Sequence, residues 1–308
     1  MRRFRIKTDT HDDAAAPATA PDAWQMAIIG EDGDLDERSK AACAYVRACA
    51  TTTYKLRFDI SEHKNEIRLN GTVLRVPALK ARFSGVKSLL VEASSLSFPE
   101  ILYVMLAAIE AHIPALRFVY VEPKEYRREV KGRLCDQRNF ELSDNRRFQS
   151  IPGFQTNLSE IEKGQAVFFL GFEGSRLGQA LEQQEVLRGW AKHAVFGVPA
   201  FSPGWEIDAM ANNVQYLGKS DQVKYAAAAS ADAAYRLLST LLEQDKGEHP
   251  ILVAPLGTKP HAIGAALFLI ENESMDRALL LYDHPTRSSG RSKEVRRWHF
   301  YDVTDSPA

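Results

Sequence analysis

Pro250-Ile251-Leu252-Val253-Ala254-Pro255-Leu256-Gly257-Thr258-Lys259-Pro260 opens the stretch that decides the fold. Its first five residues are a short, continuous apolar run, the length and character of a strand buried on both faces. Gly257 then permits a turn at positive φ, Thr258 is a good helix N-cap, and Pro260 is tolerated in a first helical turn. A helix is therefore predicted from Thr258 to Asn272. From Ala262 to Ile270 nearly every face of that helix is apolar, so it packs deeply and holds the preceding turn rigidly. A helix start also presents backbone N–H groups and the positive end of the helix dipole, and Lys259 adds a full charge. An anion is the ligand such a turn favours. A well-capped turn with an exposed lysine uses the same residues, and both readings stay open. The pattern Gly-x-x-x-x-Gly-Lys-Ser/Thr is absent, so this is not a Walker A loop.

Working outward, strands are predicted at 166–170, 194–198 and 278–282, and helices at 175–184, 206–214 and 229–244. An alternating segment at 298–303 reads as an edge strand. Strand and helix alternating in this way give an α/β fold, with a Rossmann-like, mostly parallel sheet in the C-terminal half. The N-terminal half mixes two patterns. Tyr54 to Ile60 alternates with period two, and Asn70-Gly71 between two similar runs marks an antiparallel hairpin. Strand 88–92, helix 98–112 and strand 116–121 then form a parallel βαβ unit, with a short apolar run at 24–29 and a helix at 37–50 before them. Residues 1–23, rich in Ala, Pro, Asp and Thr from residue 8, read as a flexible lead-in. The predicted division is a region 24–150 and a ligand-binding domain 151–308, with the seam inside 124–160.

Composition sets outer limits. The chain has 308 residues, 45% hydrophobic and 26% charged, with a net charge of −1, which excludes general disorder and an overall basic field for nucleic acid. No apolar run approaches the roughly 20 residues that span a bilayer. Ile101 to Ile113 is interrupted by Glu110 and His112 and reads as a buried helix. No signal-peptide pattern is present, and the three cysteines, Cys43, Cys49 and Cys135, match no zinc or disulfide spacing, so a cytoplasmic protein is expected. The histidines are scattered, and no metal or other cofactor is expected. The basic residues Arg127, Arg128, Lys131, Arg133, Arg138, Arg146 and Arg147 read as a solvated linker, because only Phe140 and Phe148 interleave them.

In open parallel sheets ligands bind beyond the carboxyl ends of the strands. That rule selects Glu92 and Ser94 after one strand, Gly171, Glu173, Gly174, Ser175 and Arg176 after another, and Asp283 and His284 after a third. They join Gly257, Thr258 and Lys259 as the candidate ligand-binding set. The glycines at 171 and 174 allow close backbone approach, and Arg176 can form a bidentate contact to phosphate. A tight turn with a surface arginine is the other reading of that loop. Asp283-His284 offers an acid–base pair, or else a loop cap or salt-bridge partner. No Gly-x-Ser-x-Gly elbow is present, and no residue is assigned as catalytic.

The junction Ala254-Pro255-Leu256-Gly257-Thr258-Lys259-Pro260 resembles the Gly-Thr-Lys turn of the CARF (CRISPR-associated Rossmann-fold) sensor domains, although Leu256 stands where that family often has a second glycine. The resemblance implies cyclic oligoadenylate binding across a homodimer in prokaryotic antiviral defence. Gly257, Thr258 and Lys259 would touch the ligand, with loop 171–176 as the facing wall. Three functions follow as expectations. The first is a sensor of a nucleotide-type anionic ligand, acting through a homo-oligomer or a partner protein. The second is an enzyme acting on a nucleotide or phosphate ester, with Glu92, Glu173, Asp283 and His284 supplying acid–base groups. The third is a non-catalytic subunit of a complex. Neither a membrane nor a nucleic acid is the expected partner.

Overall fold

The computed structural model describes residues 3–31, 35–60, 65–126, 143–144, 148–149, 151–154, 157–272, 277–287 and 291–305. In chain order it begins with β1 Phe4–His11, β2 Trp24–Gly30, α1 Glu37–Cys49, β3 Ala50–Ile60, β4 Asn65–Leu69 and β5 Thr72–Leu74. There follow α2 Val76–Phe83, β6 Ser88–Glu92, α3 Phe98–Glu110, β7 Ala115–Tyr126 and β8 Ser143–Asp144. The next run is β9 Gln165–Leu170, α4 Gly174–Gln183, β10 Ala191–Gly197, α5 Trp205–Asn213 and β11 Gln222–Ala226. The chain closes with α6 Ala231–Gln244, β12 Ile251–Pro255, α7 Lys259–Asn272, β13 Ala278–Leu280, β14 Thr286–Arg287 and β15 Ser292–Asp305.

These elements form two compact units, one of Met1–Tyr126 with Ser292–Ala308, the other of Arg127–Arg291. The division expected at 150 is therefore corrected twice. It falls after Tyr126, and the chain returns to the first unit at Ser292. The segment at 298–303, expected at the edge of the second sheet, lies inside the first, between β1 and β7 in the long strand β15. β1 takes the edge, pairing antiparallel with β15 from Phe4↔Asp305 to His11↔Trp298. Residues 1–23 are thus not simply a lead-in. Phe4 and Ile6 point into the core with the exposed Arg5 between them, an alternation hidden beside the Ala- and Pro-rich stretch that follows.

The first unit holds an eight-stranded mixed sheet in the order β1-β15-β7-β6-β2-β3-β4-β5. β3, β2, β6 and β7 run parallel, while β3-β4-β5 is an antiparallel meander. Its turn is Asn70-Gly71, both at positive φ, as a two-residue hairpin loop requires. Local chemistry starts the helices. Asp36 caps α1 by accepting from the Ser39 N–H at 3.0 Å, and Ser97 and Glu100 form a capping box on α3. α1 packs Ala42, Cys43 and Val46 against Leu90, Val119, Val121 and Trp298.

The second unit is an all-parallel, five-stranded sheet in the order β11-β10-β9-β12-β13. Numbered from its own first strand this is 3-2-1-4-5, the doubly wound Rossmann order. On one face Phe168, Phe196 and Leu252 pack with Leu177 of α4 and Ala209 of α5. α7, buried along nearly its whole length, lies against α6. β11 and α2, like β1, were not legible in the sequence. β11 is a short edge strand whose Val223 and Tyr225 stay exposed, so it shows no buried run. α2 is two turns long with a proline at its start. No described helix is long and apolar enough to cross a membrane.

Candidate functional site

Strand order in the second unit reverses between β9 and β12, because successive strands build outward from β9 to one side and then from β12 to the other. The crevice of such a sheet lies beyond the carboxyl ends at that reversal. The two turns leaving it are Gly171-Phe172-Glu173, which leads into α4, and Leu256-Gly257-Thr258, which leads into α7. They are in direct contact. A Cβ added at Gly171 would stand 3.5 Å from the Gly257 Cα, and one added at Gly257 would stand 3.0 Å from the Leu170 carbonyl oxygen. Gly257 is not among the residues at positive φ, so the reason for a glycine differs from the one expected. The turn needs room against the end of β9, not a left-handed backbone.

Thr258 sits at the start of α7 as predicted. Its carbonyl accepts from the Ala262 N–H at 3.0 Å, and its hydroxyl lies 3.4 Å from the His261 N–H while donating to the Ala228 carbonyl at 2.9 Å. His261, fully buried, is 3.0 Å from the Ala227 carbonyl through Nε2. These two bonds tie the start of α7 to the loop before α6. Burial holds the His261 imidazole down to about 4, against carbonyl hydrogen bonds that raise it, so at neutral pH the ring is uncharged. Lys259, at the first position of α7, is half-buried and is the one cation in this turn.

The predicted residues of 171–176 and 283–284 are brought to the same end of the sheet in different roles. Arg176 is not a surface arginine. It is buried and holds Asp283 bidentately, Nε and Nη2 each donating at 2.6 Å, while Nη1 donates to the Leu256 carbonyl at 2.7 Å. Burial works against its charge, but Asp283 and Glu173 more than compensate and raise its pKa above the ordinary arginine value. Arg176 therefore clamps α4, the turn before α7 and the segment after β13 through three hydrogen bonds within the protein. Of the two readings of Asp283, the salt-bridge partner is the one observed. His284 is 3.1 Å from the Gln149 carbonyl and packs edge-on against Tyr282, and burial lowers its pKa. Glu173 lies 4.0 Å from Arg176. Gly174 starts α4 where a Cβ would collide with the Asn212 carbonyl, and Ser175 follows it in the first turn.

Two asparagines escaped sequence reasoning. Asn212 donates to the Phe172 carbonyl and Asn213 to the Gly171 carbonyl, both at 2.8 Å, which fixes the first glycine turn from the end of α5. An Asn-Asn pair in a poor helical context was the available signal.

Glu92 and Ser94 belong to the first unit, at the comparable reversal between β2 and β6. Both are fully buried. The Glu92 carboxylate accepts from the Ser94 N–H at 2.6 Å, from the Ser95 N–H at 2.8 Å and from the Ser95 hydroxyl. Burial pushes the carboxyl up, with hydrogen bonds from Ser95 and Ser94 pulling the other way. Cys43 lies 3.7 Å away, its thiol pushed up to about 12 by burial and by that carboxylate. Ser94 Oγ accepts from the Val121 N–H at 3.0 Å, and Ser95 Oγ from the Gly30 N–H at 2.8 Å. Asp36 occupies the N-terminus of α1 and pairs with the buried Arg38 at 3.1 Å. Arg38 also donates to Ser292, Tyr120 and the Val121 carbonyl. The four acid–base candidates thus fall in two units, and the basic residues 127–147 lie outside the described residues.

No protein-family model matches the chain, and neither does any curated protein. Among solved structures, an A-type ketoreductase from a modular polyketide synthase is similar over 90% of this chain and 73% of its own, at 13% identity and a TM-score of 0.24. A likeness that slight says nothing about activity, and the α/β assignment rests on the strand order above.

Proposed function

We propose that the second unit binds a small phosphate-bearing ligand of nucleotide type at the carboxyl ends of β9 and β12, and that the protein acts as a sensor of that ligand. One observation carries the reading: the strand-order reversal coincides with two glycine turns in contact, one of which opens a buried fourteen-residue helix with Lys259 at its first position. The helix dipole and the lysine favour an anion, and glycine backbone allows it to approach closely. Arg176 and Asp283 take the part of a rigid support instead of direct ligands. The Gly257-Thr258-Lys259 resemblance narrows the ligand to a cyclic oligonucleotide and the setting to antiviral defence, with two copies of the chain enclosing it. Among the described residues, the acid–base candidates Glu173 and Asp283 are engaged with Arg176, which supports the binding reading.

A thermal-shift screen against mono-, di- and cyclic oligonucleotides tests this. A ligand of the native state raises the melting temperature by mass action. A shift is expected with at least one cyclic oligonucleotide in the wild type and not in Lys259→Ala. No shift with any nucleotide would leave the turn as plain helix capping.

A further inference from the structure

At the opposite end of the same five-stranded sheet lies a cavity of about 450 Å³, formed by the amino-terminal residues of β9, β10 and β11 and the last turn of α6. Its size is that of a small-molecule site. Its strand side carries Lys163, Gln165, His193 and Lys224, and its helix side Asp245 and His249. Side chains alternate along β10, so Ala194 and Phe196 enter the core under α4 and α5, while His193 faces the α6 side.

His193 is only 4% exposed. Its Nε2 lies 3.0 Å from the Gln165 side-chain oxygen, whereas Nδ1 is buried without a hydrogen-bond partner. Burial, helped by the charge of Lys224, lowers its pKa. The ring is therefore neutral at pH 7, with its N–H given to Gln165 and an acceptor nitrogen unsatisfied. Such an orphan is unfavourable unless a donor is supplied.

Charges of both signs line the cavity, and the Asp245 carboxylate also accepts a hydrogen bond from the Gln165 side chain. Two lysines line the strand side, where the parallel strands begin. On the helix side, Asp245 is the C-cap of α6, beside the last carbonyls and the negative end of the helix dipole. Asp245 is held in place by the His249 N–H at 2.7 Å and faces His249 Nδ1 at 3.2 Å. A simple anion would meet the lysines but be repelled by Asp245 and the helix end. A simple cation would meet the reverse. A molecule carrying both charges a few bonds apart satisfies both sides and brings donors to a polar wall.

We propose that this cavity binds a small zwitterion of the α-amino-acid type, its carboxylate toward Lys163 and Lys224 and its ammonium toward Asp245 and the carboxyl end of α6. The site is independent of the anion site at the other end of the sheet.

Isothermal titration of the full chain with the common α-amino acids, and with acetate as a plain carboxylate, tests it. At least one amino acid should bind saturably. Its affinity should fall at least tenfold in Lys224→Met and in Asp245→Asn, with circular dichroism showing both variants folded, and should be unchanged in Lys259→Ala. Should Asp245→Asn fail to fold, Lys163→Met, at an exposed position, carries the same tenfold criterion. Absence of saturable binding by every amino acid overturns the proposal. So does affinity indifferent to the substitutions, or acetate binding as tightly as the amino acid.

Discussion

At the end of β6 in the first unit, the backbone N–H groups of Ser94 and Ser95 close on the protein's own Glu92 carboxylate. At the end of β12 in the second unit, the chain turns through Gly257 into α7 with Lys259 at its first position. Both places are strand-order reversals among parallel strands, and topology alone makes both candidate crevices. Side chains separate them. In the first unit an internal carboxylate takes the N–H donors, Asp36 fills the start of α1, and Arg38 donates to four oxygens of the protein. In the second unit the internal ion pair, Arg176 with Asp283, braces the two glycine turns and leaves the start of α7 to a glycine, a threonine and a lysine. On this contrast the second reversal, and not the first, is the one proposed to take a ligand.

The largest expected effect breaks that brace. Asp283→Ala leaves Arg176 buried without its carboxylate and should destabilise the second unit by about 3–5 kcal/mol. Urea unfolding read by hydrogen exchange at amides of β9 and β12 measures it, and a loss below 1 kcal/mol would show that the pair does not hold the turns.

Acid should act on the two units with opposite sign. A histidine whose folded pKa lies below its unfolded value contributes stability that is present above the unfolded pKa and is lost as pH falls through the folded one. For His261, lowered from 6.5 to about 4, the loss runs across that window and amounts to about 3 kcal/mol. His193 and His284 shift in the same direction. Amide exchange protection in the second unit should therefore decline from pH 6.5 to pH 4, and less steeply in His261→Gln. A parallel slope in that variant would remove His261 from the explanation.

Smaller effects sharpen the contrast. Thr258→Val removes the hydroxyl bond to Ala228 and should cost about 1 kcal/mol in chemical denaturation. In the first unit, Glu92 has a raised folded pKa, so its contribution is fully present below its unfolded pKa of 4.5 and is lost as pH rises through the folded value. Glu92→Gln should flatten that dependence, and an unchanged pH profile of the first unit would contradict it.

Much of this was legible in the chain. The apolar run 250–254, the glycine turn and the buried helix after it specify the parallel sheet of the second unit, and Asn70-Gly71 specifies a hairpin in the sheet of the first. Polar partners decided what was not legible. Nothing local to Arg176 says that Asp283, more than a hundred residues away, will claim it, and nothing near Glu92 says that the next two N–H groups will turn back onto it. The return of β15 to the first unit was likewise hidden, since its pairing with β1 joins the two ends of the sequence. Long-range pairing, unlike strand and helix period, has no local signature.

The decisive measurement is isothermal titration of the most stabilising cyclic oligonucleotide into wild type, Lys259→Ala and Glu92→Gln. Binding in the second unit predicts at least a tenfold loss of affinity in Lys259→Ala and unchanged affinity in Glu92→Gln. Undiminished binding to Lys259→Ala, or a loss confined to Glu92→Gln, would contradict it.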